Sequence, residues 1–291
     1  MVDEQSARWT TTVGRLRVGG TVHDVAGRVG SDPAEVTIVT IDEAVGHRHE
    51  AAMSPPGCYQ TSETYAGSVL NPWQAVNESP PYVVADDLPY IEAFNATLAP
   101  ESPHRIELDL PPSPIHGFHD SPVVILEANP LWSPGAVEAY GNPAWVRIAL
   151  DELHTAQGSR FHALEDAWAG NQGGRWWRDC LAGVHRAGYS YESLATKVLS
   201  VDFHGYFSKK WTGLPVTLPS QHFGFSLVRS AMDRGATVVL MRAARHWKVA
   251  VPGLATYPKL VPARNPRKSS LSAKNLGESG FEHVLQALGS A

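Results

Sequence analysis

Hydrophobic and polar positions change their rhythm along this chain. Up to about residue 120, short β-like runs such as Val36-Thr37-Ile38-Val39-Thr40-Ile41 and Pro81-Tyr82-Val83-Val84 alternate with Gly, Pro and Ser. From residue 121 the runs are longer and continuous. Val123-Val124-Ile125-Leu126 has no polar interruption, which predicts a strand buried on both faces. Val198–Val201, Thr237–Met241 and Lys259–Ala263 read as three more strands. Between them, Ser133-Pro134 can cap a helix and begin its first turn. Trp177, Leu181 and Val184 mark one helical face by their spacing of four and three. Ser220 to Arg234 reads as a helix stopped by Gly235. The order is α/β: a central, mostly parallel four-stranded sheet flanked by helices over 121–291, preceded by an N-terminal β-rich extension over 1–120.

Length, 291 residues, allows one large domain or two small ones. No apolar run approaches the roughly 18 residues of a membrane span, and Met1 to Gly20 lacks the order of a signal peptide. A soluble, cytoplasmic chain with no membrane partner is expected. Cys58 and Cys180 are the only cysteines, which excludes a four-cysteine cluster. The net charge of −5 is unevenly spread. Residues 1–120 hold 17 acidic and 6 basic side chains, whereas 228–275 hold 10 basic ones and a single acid, Asp233. That asymmetry points to a polyanion at the C-terminal part and argues against phosphate binding by the N-terminal part.

Two apolar runs end in the same way. One reads Leu126-Glu127-Ala128-Asn129-Pro130-Leu131-Trp132, the other Val261-Pro262-Ala263-Arg264-Asn265-Pro266-Arg267-Lys268-Ser269-Ser270-Leu271-Ser272. Taken alone, Asn-Pro after a strand is a turn. Loops leaving the carboxyl ends of parallel strands are also where α/β proteins bind ligands. With Asp202 ending the strand between them, the two segments resemble the two signature motifs of the uracil-DNA glycosylase superfamily. The resemblance covers roughly residues 121–290, leaves 1–120 unexplained, and needs two extra residues in the second motif to align Leu271.

That resemblance implies a monofunctional DNA glycosylase, an enzyme that flips a base out of DNA and hydrolyses its N-glycosidic bond without a cofactor. Asn129 would orient the attacking water, and Asn265 would stabilise the departing base. Ala128, Pro130, Leu131, Trp132, Asp202 and His204 would line the base pocket, with Tyr140 and Trp145 as further aromatic candidates. Arg264, Lys268, Ser269, Ser270 and Lys274 would hold DNA, with Leu271 or Arg267 as the wedge. Asp202 replaces an Asn, and a carboxylate suits the amino group of cytosine. Leu131 replaces a Tyr that closes the pocket against substituents at C5. The substrate expected is therefore a 5-substituted cytosine, such as glucosylated hydroxymethylcytosine in phage DNA, giving an anti-phage role. The alternatives are repair of uracil or another deaminated base, or an inactive nucleic-acid-binding module. The runs His47, His49, Glu50 and His116, His119, Asp120 lack metalloprotease spacing, so no metal site is expected.

Overall fold

The computed structural model describes residues 70–290 and, before them, the strands β1 (Thr10–Val18), β2 (Thr21–Val29), β3 (Val36–Thr40) and β4 (His49–Ala51). His47 and Cys58 lie outside the described residues. The chain divides into two compact units, Met1–Thr64 and Tyr65–Ala291. The division falls well before the change of pattern near residue 120.

The first unit is an antiparallel meander in the order β1-β2-β3-β4. Thr10 pairs with Val29 and Val18 with Thr21, leaving only Gly19 and Gly20 between the strands.

The second unit is built on a five-stranded sheet. Its strands are β5 (Ile115–His116), β6 (Val123–Glu127), β7 (Val198–Asp202), β8 (Thr237–Leu240) and β9 (Leu260–Pro262), in the order β5-β7-β6-β8-β9. Four are parallel, as the apolar runs predict. The fifth, β5, is antiparallel to β7 and makes the sheet mixed. Two residues are too few to show a period of two, so β5 leaves no pattern in the sequence.

All five residues of β6 are buried. Successive side chains of a strand face opposite ways, and each face is covered by helices. In chain order the α-helices begin with α1 (Leu88–Ala96), α2 (Pro134–Tyr140), α3 (Pro143–His154), α4 (Gln172–Arg186), α5 (Tyr191–Lys197), α6 (Gln221–Asp233) and α7 (Ala244–Ala250). Val123 and Ile125 join Trp177, Cys180, Leu181 and Val184 of α4 (Gln172–Arg186). Val124 and Leu126 join Phe225, Val228 and Ala231 of α6 (Gln221–Asp233) and Trp247 of α7 (Ala244–Ala250). Ser133 caps its helix as the sequence predicts, and Asn171, which no pattern singled out, does the same for α4. Ser133 Oγ accepts from Ala136 N (3.1 Å) at the start of Pro134–Tyr140, and Asn171 Oδ1 accepts from Gly174 N (2.6 Å) at the start of α4.

Residues 70–114 pack on the same unit. Tyr82, Val83 and Val84 form no strand; they are buried with Trp73, Ile91 and Tyr206. A buried polar chain ties this segment down. Val84 N donates to Tyr206 Oη (3.2 Å), Tyr206 Oη donates to Asp87 Oδ2 (2.7 Å), and Ser220 N donates to Asp87 Oδ1 (3.0 Å). Burial pushes the Asp87 carboxyl up, while these donors pull it back. Tyr206→Phe leaves Val84 N–H unpaired and removes one donor from Asp87. It should cost about 1–3 kcal/mol, read as a lower urea midpoint.

Candidate active site

The parallel strands place their carboxyl ends at one edge, and the buried strands bring polar groups there. Glu127 and Asp202 are register partners across β6 and β7. Laterally paired residues share a face of the sheet, so two carboxyl groups stand side by side. Glu127 is only 4% exposed, and Asp202 is half-buried. Arg242, directly beyond β8, places Nε 3.4 Å from Glu127 Oε2. The same Nε donates to Ser269 Oγ at 3.0 Å. One cation therefore joins the ends of β6 and β8 to the loop that follows β9.

The backbone fixes this arrangement. Glu127 O accepts from Trp247 Nε1 (2.7 Å), so the first polar residue of the strand is clamped by α7. Arg242 N donates to Leu126 O (3.2 Å). Ala243 then adopts the left-handed conformation, with φ of 50°, and turns the chain into α7. A non-glycine residue pays about 1–2 kcal/mol for that conformation. Strain of this kind collects beside functional groups.

Burial pushes Glu127 up to about 7; Arg242 and the Ser269 hydroxyl oppose the shift. Asp202 is held well above the carboxylate range by burial first and then by the Glu127 charge, again opposed by Arg242. Both carboxyls are thus raised by burial, and Glu127 reaches its ionisation near neutrality. Glu127 Oε1 has no hydrogen-bond partner among the described residues. Two neighbouring carboxyls, one of them titrating near neutrality, are the kind of pair that glycosidic hydrolysis uses.

Asn129 lies two residues beyond Glu127, half-buried. Its Nδ2 donates to Ser208 Oγ (2.8 Å) and to Pro130 O (3.0 Å), and lies 3.5 Å from Tyr206 O. The amide's donors are used in holding two loops together, leaving Oδ1 as its acceptor. Ala128 is buried, and Ala128 O accepts from His204 N (3.2 Å). Pro130 O accepts from Ser208 N (3.4 Å). Leu131 is turned outward, 54% exposed. Trp132 Nε1 donates to Asp109 Oδ1 (3.2 Å), and Lys209 Nζ sits 4.6 Å from its ring centroid. Trp145 is core, packed on Trp168, and Tyr140 packs on Phe207. His204 is buried and stacks on Trp211 at 5.2 Å. Neither ring nitrogen has a partner among the described residues, and burial holds the ring neutral, pushed down to about 3.

Two expectations for the second Asn-Pro loop are corrected. Leu271 is completely buried, with its N donating to Cys180 O (2.8 Å); it anchors the loop to α4 and cannot serve as a wedge from there. Asn265 is exposed, and its Oδ1 accepts from Arg267 N (3.0 Å), closing its own turn. What the loop brings to the carboxyl pair is Ser269. Its shape is set by Asn275, which is buried. Asn275 Nδ2 donates to Lys268 O (2.8 Å) and Ser270 O (3.1 Å), and Oδ1 accepts from Asn265 N (2.9 Å). Arg264, Arg267, Lys268 and Lys274 are exposed, and Ser270 Oγ lies 2.9 Å from Ser272 Oγ.

Glu127, Arg242 and Asn275 are the residues that motif reading passes over. A charge that closes an otherwise apolar strand was the available signal for Glu127, because a buried charge needs a partner. His116 and His119 do not converge: His119 meets Phe223 edge-on, whereas His116 faces Ser113 and Glu152. Ser113 Oγ lies 2.6 Å from His116 Nε2, and His116 Nδ1 lies 3.0 Å from Glu152 Oε2, in the order of a nucleophile, base and orienting acid. Ser113 is followed by Pro114, which has no N–H, and its own N donates to Gly205 O (2.8 Å). Neither residue 113 nor residue 114 therefore offers an amide to an oxyanion, and the three side chains satisfy one another. A cavity of about 710 Å³ opens at the opposite edge of the sheet, between Asp120, Ser121, Arg234, Lys259 and His283. The paired carboxyls and the loops that converge on them are not part of it.

No family model matches the chain, and no curated protein or solved structure matches it. Among the described residues, no helix is long and apolar enough to cross a membrane.

The raised Glu127 carboxyl has a measurable cost. A group whose pKa rises on folding favours the folded state fully below its unfolded value, near 4.5, and loses that contribution as pH climbs through about 7. Glu127→Gln removes this dependence. Relative to the variant, the parent should lose up to about 3 kcal/mol of unfolding free energy between pH 4.5 and 8. Urea titrations at several pH values check this; parallel curves for the two proteins would contradict it.

Proposed function

We propose that this chain is a DNA glycosylase, hydrolysing the N-glycosidic bond of a flipped-out base to leave an abasic site. The observation that carries the reading is the convergence at one sheet edge. Glu127 and Asp202 stand together, Arg242 and Ser269 close on them, and Asn129 leads the adjoining loop. These are the loops in which the chain resembles the uracil-DNA glycosylase superfamily.

The chemistry follows from the two carboxyls. The transition state places positive charge on the sugar and negative charge on the leaving base. Protonated Asp202 donates to the base as the C1′–N bond breaks and the electron pair departs with it. Ionised Glu127 faces the cationic sugar and takes a proton from the attacking water, which Asn129 Oδ1 orients. The new bond joins the water oxygen to C1′. Exposed Arg264, Arg267, Lys268 and Lys274 hold phosphates around the site.

A neutral Asp202 both donates and accepts. It fits the N3 and N4 positions of cytosine, and the N3 and O4 positions of uracil as well. Selectivity must then come from elsewhere. With Leu131 turned outward, no side chain at that position blocks a group on C5. We therefore favour a 5-substituted cytosine, glucosylated hydroxymethylcytosine in phage DNA being the fullest case, and a cytoplasmic defence role.

The test is a panel of oligonucleotides bearing uracil, cytosine, hydroxymethylcytosine or its glucosylated form, each treated with protein and then alkali. Strand cleavage is expected at the substituted cytosines. Glu127→Gln should lower kcat by about 10²-fold or more. The parent's rate should rise with pH and level off above about 7, following the ionisation of Glu127. Cleavage at uracil alone would overturn the substrate, and no abasic site on any strand would overturn the glycosylase.

A further inference from the structure

We propose that the cavity at the amino-terminal edge of the sheet binds a nucleoside monophosphate, independently of any base excision at the other edge. The cavity measures about 710 Å³, and cavities of about 300–1,000 Å³ take ligands of that size. It opens where β6, β8 and β9 begin, away from Glu127 and Asp202. Two cations on its wall are held in place by neutral oxygens. Arg234, just past the end of α6, donates from Nη2 to His119 O (2.6 Å) and from Nη1 to Ser230 Oγ (2.9 Å). Lys259, just before β9, donates from Nζ to Gly235 O (2.7 Å). Neither pairs with a carboxylate among the described residues. A guanidinium and an ammonium carry more N–H donors than these contacts use, and the rest are available to an anion.

Ser121 supplies a third group. It is 2% exposed on the cavity wall, and its Oγ has no partner among the described residues. A buried hydroxyl without a partner is costly, and a phosphate oxygen would accept from it. The rest of the wall describes what the phosphate is attached to. Asp120, exposed at the same cavity, would repel a bare phosphate ion. Its carboxylate accepts from hydroxyls, such as those of a ribose. Pro122 and Pro258 offer apolar rings to the face of a base. Gln286, on the last helix (Glu278–Leu288), carries an amide that can both donate to and accept from a base edge. Cations for the phosphate, an acid for the sugar and an amide for the base fit the three parts of one ligand.

Calorimetric titration of the full chain tests the site, with the 5′-monophosphates of adenosine, guanosine, cytidine and thymidine, the matching nucleosides, and inorganic phosphate. At least one monophosphate should bind saturably, with its nucleoside and inorganic phosphate each weaker by about tenfold or more. Lys259→Gln should weaken that monophosphate by about tenfold or more, because a charge-assisted bond is lost. Gln286→Glu sits at an exposed helix position, where the fold tolerates it. It adds a charge of the phosphate's own sign and should weaken binding by at least about twofold. Arg267→Gln, on the opposite edge, should leave the affinity unchanged. No saturable binding of any monophosphate overturns the site. So does equal affinity for inorganic phosphate or for the nucleoside, and so does an affinity lost in Arg267→Gln but kept in Lys259→Gln. None of these results touches base excision, which the oligonucleotide panel measures separately.

Discussion

The complete burial of β6 is the constraint on which the rest of the second unit depends. A strand with helices over both faces has nowhere along its length to place a polar side chain without large cost. Its polar groups are displaced to its ends, and at the carboxyl end the first of them is Glu127. Parallel pairing repeats the condition in β7, where only the small Ser200 is polar inside the strand, and aligns Asp202 beside Glu127. The same burial that stabilises the sheet therefore creates a desolvated carboxyl pair, and the pair in turn requires Arg242. The position of that cation is set by β8, the third buried strand, so its arrival needs no separate device.

The loops around the pair are held by side-chain amides and a hydroxyl. Asn129 and Ser208 join the loops that follow β6 and β7. Asn275 organises the loop that follows β9 from within, with three of its side-chain hydrogen bonds directed at that loop's backbone. Hydrogen bonds of this kind are individually modest, but a buried amide left unpaired is costly. They fix the loops through what it would cost to open them.

Much of the α/β layering was legible because buried strands leave long apolar runs and helices leave a period near 3.6. Val123–Leu126, Val198–Val201 and Thr237–Leu240 all stand where their runs place them. The two-residue strand β5 was not legible, and neither was the packing of Tyr82–Val84 as buried coil, because no local period separates a β-like coil from a strand. In the candidate site, the motifs single out the loops after β6 and β9, but the structure buries Leu271 and turns Asn265 onto its own loop. Leu271 reads as an exposed wedge by letter, yet its place is decided by the Cys180 carbonyl and α4, more than 80 positions away. Glu127 carries no motif signal, because the motif falls on Asn129 two residues further on. Arg242 belongs to neither motif and reaches the pair only through the parallel register.

The close approach of α4 to the second Asn-Pro loop has an evolutionary consequence. A Cβ at Gly183 would lie 2.2 Å from Leu271 O, so helix and loop touch backbone to backbone. The anchored half of the loop cannot drift without the helix. The outer half, with Arg267 and Lys268 in solvent, carries no such obligation. Mutation there can change the charge presented to solvent while the buried half of the loop keeps its seat on the helix. One loop thus joins a part free to vary to a part that is not.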